Sequence, residues 1–246
     1  MGILLTIAYD GTDYCGWQIQ KNGPAVQQVV ETALGRAFGH GDFALLGASR
    51  TDAGVHALGQ RGHVVLRRPC RVPTEKLAQV VNSRLPRNVR IMAAAAVPDT
   101  FHPINDCISK TYCYKIYNAA HSNPLEARYA AFVPAPLDIA EMAGAAAFFV
   151  GEHDFAAFCA SGSSVKTTVR RIFSLNVIKT GDTVEITVAG NGFLYNMVRI
   201  LAGTLADVGL GKTTAADISA IIHSRDRSRA GKTMPPQGLT LLEVVY

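Results

Sequence analysis

The apolar and polar residues of "GILLTIAYD" (residues 2–10) alternate as a half-buried strand requires, so the chain is expected to open on a strand. A Gly- and aromatic-rich loop, "DGTDYCGWQIQ", separates it from a helix. There Val26, Val29, Val30, Ala33, Leu34, Ala37 and Phe38 recur at i, i+3, i+4 and i+7, and Gly39 stands at the C-cap position. Strands are expected at "FALLGAS" and "GHVVLR", with residues 47–60, "GASRTDAGVHALGQ", centred on the loop between them. A helix from Pro73 to Leu85 follows, with Leu77, Val80 and Val81 inward and Pro86 as its stop, and then a strand at "VRIMAAAAV". The order is βαββαβ.

The second half repeats that order. "CISKTYCYKIYN" has period two, which puts Ile108, Lys110, Tyr112, Tyr114 and Ile116 on one face of a strand. A helix starts at Asp138, with Glu141 three residues later as a variant capping box, and turns Ile139, Met142, Ala143, Ala146 and Phe149 inward before Gly151. "RIFSLNVIKTGDTVEITVAG" reads as two strands around a Thr-Gly-Asp turn. A long helix from "FLYNMVRILAGTLADVG", a shorter one at "AADISAIIHS" and a closing strand "LTLLEVVY" complete a second βαββαβ with one extra helix. The expected fold is α+β: two successive βαββαβ (ferredoxin-like) units with antiparallel sheets, residues 1–103 and 104–246, joined around a central cleft. The halves show no residue-level repeat, so this expectation rests on element order.

Composition narrows the class. With 246 residues and 48% hydrophobic content the chain can bury a large core, which excludes disorder. A net charge of +5 points to a polyanionic partner. Cys15, Cys70, Cys107, Cys113 and Cys159 include no C-x-x-C pair and read as reduced thiols in a cytoplasmic protein. The N-terminus lacks the basic region of a signal peptide, and the apolar run "MAGAAAFFV" is far shorter than the roughly 20 residues a membrane helix needs, so neither export nor membrane is expected. "MGILLT" matches a myristoylation pattern, but the same residues read better as the first buried strand.

Chemistry concentrates in two places. Arg50, Asp52 and His56 share a loop with glycines at 47, 54 and 59, which permit positive φ or close approach of a ligand. Spacing alone fits an Asx-turn with an incidental salt bridge equally well. Downstream, Arg199 is the only positive charge in the apolar helix "GNGFLYNMVRILAG". Burying a guanidinium costs several kcal/mol unless it is paired, and Asp52 is a natural partner; a purely structural ion pair is the alternative. His56 could serve as a general base or could order its turn by hydrogen bonding. Arg225, Arg227, Arg229 and Lys232 in "SRDRSRAGK" read as a solvated loop or as phosphate contacts. "ADVGLGKT" has Ala206 where a phosphate loop needs its first glycine, no serine lies in a G-x-S-x-G elbow, and no histidine spacing suits a metal.

"AYDGTDYCGWQIQ", "SRTDAGVHALGQ", "FHP…SKTYCYKIYN", "GEHDFAAF", "GNGFLYNMVRILAGTL" and "PPQGLTLLEVVY" resemble, in order and over nearly the whole chain, the successive motifs of the tRNA pseudouridine synthase A family. The resemblance implies an isomerase that converts uridine to pseudouridine at positions 38, 39 and 40 of the tRNA anticodon stem-loop. It also implies a homodimer that needs no cofactor and no metal. Residue by residue, it makes Asp52 the catalytic aspartate, Tyr112 the tyrosine at the uracil and Arg199 the arginine paired with the aspartate. Arg50, His56 and Arg227 join Tyr112 as candidate substrate-binding residues.

That chemistry suits the residues. Breaking an N-glycosidic bond and remaking it through carbon needs one carboxylate, kept ionised by arginine. Whether it attacks ribose or base, or takes a ribose proton, stays open. The base must leave its stack, and Tyr112 offers a ring for it and a hydroxyl for proton traffic at C5. Two departures from the family pattern bear on the local turn and on RNA affinity: Ser49 stands where relatives have glycine before R-T-D, and "FHPINDC" lacks an arginine and gains Asp106. The alternatives are a synthase acting on other RNA and a non-catalytic RNA-binding protein on the same scaffold. The joint presence of Asp52, Tyr112 and Arg199 speaks against the second.

Overall fold

A computed structural model describes residues 2–68, 70–163 and 165–246. Among the described residues, ten strands and five α-helices give a mixed α/β architecture divided into two compact units, Met1–Ile108 with Leu241–Tyr246, and Ser109–Thr240.

The first unit runs β1 (Gly2–Tyr9), α1 (Val26–Phe38), β2 (Phe43–Gly47), β3 (His56–Leu66), α2 (Thr74–Asn82) and β4 (Val89–Val97). Its strands lie in the order β4-β1-β3-β2, each antiparallel to its neighbour. Ile3, Leu5, Ile7 and Tyr9 form the buried face of β1, as the alternation predicts. On α1 the stripe Val26, Val30, Ala33 and Leu34 is buried, and Gly39 at φ 74° closes the helix by donating its N–H to Gly35 O.

Two boundaries differ from expectation for tertiary reasons. α2 ends at Asn82, because the Asn82 amide donates to Ile91 O at 2.8 Å and accepts the Ile91 N–H at 2.8 Å, tying the helix end to β4. β3 begins at His56, since Ala57 already pairs with Tyr9 and Gln60 with Ile7 on β1. His56–Gln60 therefore belong to a strand and not to the loop.

The second unit contains β5 (Ser109–Tyr117), β6 (Ala131–Phe132), α3 (Ile139–Ala146), β7 (Gly151–Asp154), β8 (Val169–Thr180), β9 (Thr183–Gly190), α4 (Met197–Gly209) and α5 (Asp217–Ser224). The antiparallel order is β5-β9-β8-β7, with β6 parallel to β5. The closing strand β10 (Leu239–Val245) starts in this unit, but Leu241–Tyr246 belong to the first, whereas chain order places the whole strand in the second half. The β8–β9 hairpin turns at Gly181, φ 57°, and Asp182, with Thr180 opposite Thr183.

Asp138 caps α3 as expected, its carboxylate accepting the Glu141 N–H at 3.0 Å. The inward face is Met142, Ala145, Ala146 and Phe149, however, and Ala143 is exposed, one helical step off that stripe. The short strands β6 and β7 lack any periodic signal. β6 is pinned by the buried Asn118, whose amide donates to Val133 O and Ala135 O while its oxygen accepts from Lys179 Nζ. α4 is buried on nearly every side. A Cβ on Gly203 would collide with the Lys232 carbonyl, so residues 230–235 lie directly against the helix.

Candidate active site

In the first unit Asp52 sits on a loop whose backbone is held from several sides. Thr51 O accepts the Trp17 N–H at 3.1 Å, and Thr51 Oγ1 lies 2.8 Å from the Tyr9 hydroxyl. Asp52 O accepts the Val55 N–H at 3.2 Å, and the Gly54 N–H donates to Tyr14 O at 3.3 Å. Each such bond contributes about 1 kcal/mol net, and together they hold the backbone on both sides of Asp52. The residue itself is only half-buried. Of the three glycines in the motif only Gly54, at φ 77°, uses the left-handed region. Gly47 is required by close approach instead, since a Cβ there would collide with the Trp17 indole.

Ser49 is accommodated without adjustment. It has no positive φ, and the Gln60 side chain grips its main chain, donating to Ser49 O at 2.7 Å and accepting its N–H at 3.3 Å. Asp106 closes its own turn, accepting the His102 N–H at 2.8 Å. Arg50 is exposed beside Asp52. His56 is 4% exposed, with Nδ1 at 3.1 Å from Gly11 N and 3.2 Å from Asp10 Oδ1. It links the turn after β1 to the start of β3, the turn-ordering reading of this residue.

In the second unit Tyr112 lies on the buried face of β5 with Tyr114 and Ile116. The Tyr112 ring meets Phe193 edge-on, at 5.2 Å between centroids and 85° between planes. Tyr114 donates its hydroxyl to Pro235 O at 2.7 Å, and burial holds its pKa far above the ordinary phenol value, partly offset by the Arg199 charge. Phe193 precedes α4 by a few residues and Arg199 stands in its first turn, so one end of this helix gathers Tyr112, Tyr114 and Arg199.

Arg199 is half-buried, less enclosed than an apolar helix suggests. Its Nε donates to Met234 O at 2.7 Å and its Nη1 to Asn196 Oδ1 at 2.6 Å, so neutral oxygens supply part of its hydrogen bonding. Sequence reasoning singled out neither residue. Asn196, directly ahead of an apolar helix, carries an N-cap signal; Met234 contributes a main-chain oxygen, which no residue type announces. Arg227 is turned into its own loop, donating to Ala230 O at 3.2 Å, Gly231 O at 2.9 Å and Thr233 Oγ1 at 3.0 Å. Arg225 pairs with Asp154 at 2.9 Å. Among the described residues no group of three or more His, Cys, Asp or Glu side chains could hold a metal ion, and no helix is long and apolar enough to cross a membrane.

A family model described as tRNA pseudouridine synthase matches residues 5–105 and 145–246. Asp52 and Arg199 fall inside the matched segments and Tyr112 between them. The chain is 46% identical over 245 residues to the tRNA pseudouridine synthase A of Ruminiclostridium cellulolyticum, covering 99% of both sequences. It is 46% identical over 244 residues to that of Caldicellulosiruptor saccharolyticus and 47% over 244 residues to that of Geotalea uraniireducens, again covering 99% of each.

Proposed function

Because the chain belongs to the tRNA pseudouridine synthase family, we propose that it isomerises uridines 38, 39 and 40 of the tRNA anticodon stem-loop, with Asp52 as the catalytic carboxylate. It is an isomerase that converts uridine to pseudouridine. The observation that supports Asp52 is its setting: a half-buried carboxylate on a backbone locked by its neighbours. Such a group meets a reacting sugar or base without reorganising first.

The reaction is balanced within the substrate. The bond from ribose C1′ to uracil N1 breaks, the base turns, C1′ bonds to C5, the C5 hydrogen leaves as a proton and N1 gains one. The uridine first leaves its stack. Tyr112 lies against the uracil and its hydroxyl serves the proton departing from C5. Arg199 brings a guanidinium to the reacting group. Arg50, exposed on the same loop, contacts the RNA backbone. His56 supports the loop, and Arg227 orders the segment that leads to Met234. The enzyme works in the cytoplasm as a homodimer, which sedimentation with and without tRNA tests; a monomer with full activity would refute it.

The experiment for the whole reading is tritium release from tRNA labelled at uridine C5. Wild type is expected to release label and Asp52→Ala to release none. Affinity comes mainly from phosphate contacts over a large surface, so the variant should bind tRNA within about tenfold of wild type, roughly 1.4 kcal/mol. Comparable release by Asp52→Ala removes it as the catalyst. Mapping pseudouridine in the product tRNA tests the positions, and label released from uridines elsewhere would point to a synthase of other specificity.

A further inference from the structure

We propose that Asn196 is a positioning residue for catalysis, holding the Arg199 guanidinium in one orientation; this rests on the reading of Arg199 as part of the reacting site. Asn196 occupies the N-cap of α4, yet it does not cap the helix. An N-cap residue normally has an extended backbone and accepts an N–H from the first turn with its side-chain oxygen. Asn196 instead sits at φ 59°, ψ 7°, in the left-handed region, where asparagine is one of the few side chains tolerated. Among the described residues only Arg225 shares a positive φ without being glycine.

The unusual backbone redirects the side chain. Asn196 Oδ1 accepts from Arg199 Nη1 at 2.6 Å, so the oxygen that would cap the third helical residue's main chain is bonded to that residue's side chain. The helix starts regardless, because Asn196 O accepts the Ile200 N–H at 3.0 Å. On another nitrogen of the same guanidinium, Met234 O accepts from Nε at 2.7 Å. Two fixed acceptors on two nitrogens of a planar group define its plane, and with it the direction of every other N–H bond. An arginine otherwise retains freedom about its terminal torsions, and that freedom must be lost before it can act on a developing charge.

Asn196 could also be present only because the turn needs a residue that accepts positive φ. Glycine accepts it best and has no oxygen, whereas aspartate tolerates the same backbone and keeps the acceptor. We would compare wild type, Asn196→Gly, Asn196→Asp, Arg199→Met and the double variant Asn196→Gly/Arg199→Met. The readouts are the single-turnover rate of tritium release from C5-labelled tRNA, filter binding of tRNA, and thermal unfolding. Asn196→Gly is expected to remain folded, to bind tRNA within about twofold of wild type and to turn over roughly 10- to 100-fold more slowly. Asn196→Asp should recover most of that loss. In the Arg199→Met background the glycine substitution should cost less than about twofold more, since its effect acts through a guanidinium no longer present.

A wild-type rate for Asn196→Gly beside a slow Arg199→Met overturns the positioning role and leaves Arg199 in the site. A folded Asn196→Asp as slow as Asn196→Gly overturns it as well, as does a full additional loss in the double variant. A wild-type rate for Arg199→Met instead removes Arg199 from the chemistry, and the positioning role with it.

Discussion

Arg199 and Met234 exchange two hydrogen bonds: the Met234 N–H donates to Arg199 O at 3.2 Å, and Arg199 Nε donates to Met234 O at 2.7 Å. The first joins main chain to main chain and the second side chain to main chain. The segment before β10 therefore sets both where the first turn of α4 lies and how its guanidinium is turned.

This pairing makes Arg199→Lys a poor substitute. A lysine ammonium is a single point charge and cannot bond Met234 O and Asn196 Oδ1 from two nitrogens of one rigid plane. We expect Arg199→Lys to fold and to lose about a hundredfold in kcat/KM, close to the loss in Arg199→Met. Steady-state pseudouridine formation measures it; near-normal turnover by the lysine variant would show that charge without geometry suffices.

The Arg227 guanidinium is bonded to Ala230 O, Gly231 O and Thr233 Oγ1, and Gly231 N in turn donates to Thr204 Oγ1 on α4 at 2.9 Å. Hydrogen bonds to a charged group contribute about 1.5–3 kcal/mol net, toward the low end where the group is half-buried as Arg227 is. Arg227→Ala should therefore lower unfolding stability by roughly 2 kcal/mol, read from urea midpoints at constant m. The log–log salt slope of tRNA binding should stay as in wild type. A slope reduced by about one would assign Arg227 a phosphate instead.

His63 gives the first unit an acid-sensitive point. It is 1% exposed, both ring nitrogens lack a hydrogen-bond partner among the described residues, and its ring packs edge-on against Phe101 at 5.4 Å. Burial, reinforced by the neighbouring His102, holds its pKa below the ordinary value of 6.5, so the folded ring is neutral. The unfolded chain takes up this proton first as pH falls. The stability is thus fully present above pH 6.5 and is lost as pH falls from there through the lowered folded value. His63→Phe, which keeps an aromatic ring and cannot titrate, should flatten the drop in urea midpoint between neutral and mildly acidic buffer. An unchanged drop would place the acid sensitivity elsewhere.

What the sequence determined by itself was written in short-range terms. The stripe on α1 with its Gly39 cap, the alternation of β1, the carboxylate cap of α3 and the turn at Gly181 each depend on residues within a dozen positions, and each is found where periodicity and capping rules put it, whereas β5 starts only at Ser109, leaves Ile108 exposed and buries Tyr112, Cys113 and Tyr114 in succession. The motifs around Asp52 and Arg199 were equally legible, because residue types at fixed spacing carry them. Tertiary structure decided the rest. β3 starts at His56 because Tyr9 pairs with Ala57, α2 stops where Asn82 meets Ile91, and β6 and β7 exist only through the strands beside them. Arg199 draws one of its acceptors from Met234, 35 residues away, through a carbonyl oxygen that every residue possesses. A main-chain oxygen has no signature in the one-letter code, so only the folding of residues 230–235 against Gly203 could reveal which one holds the arginine.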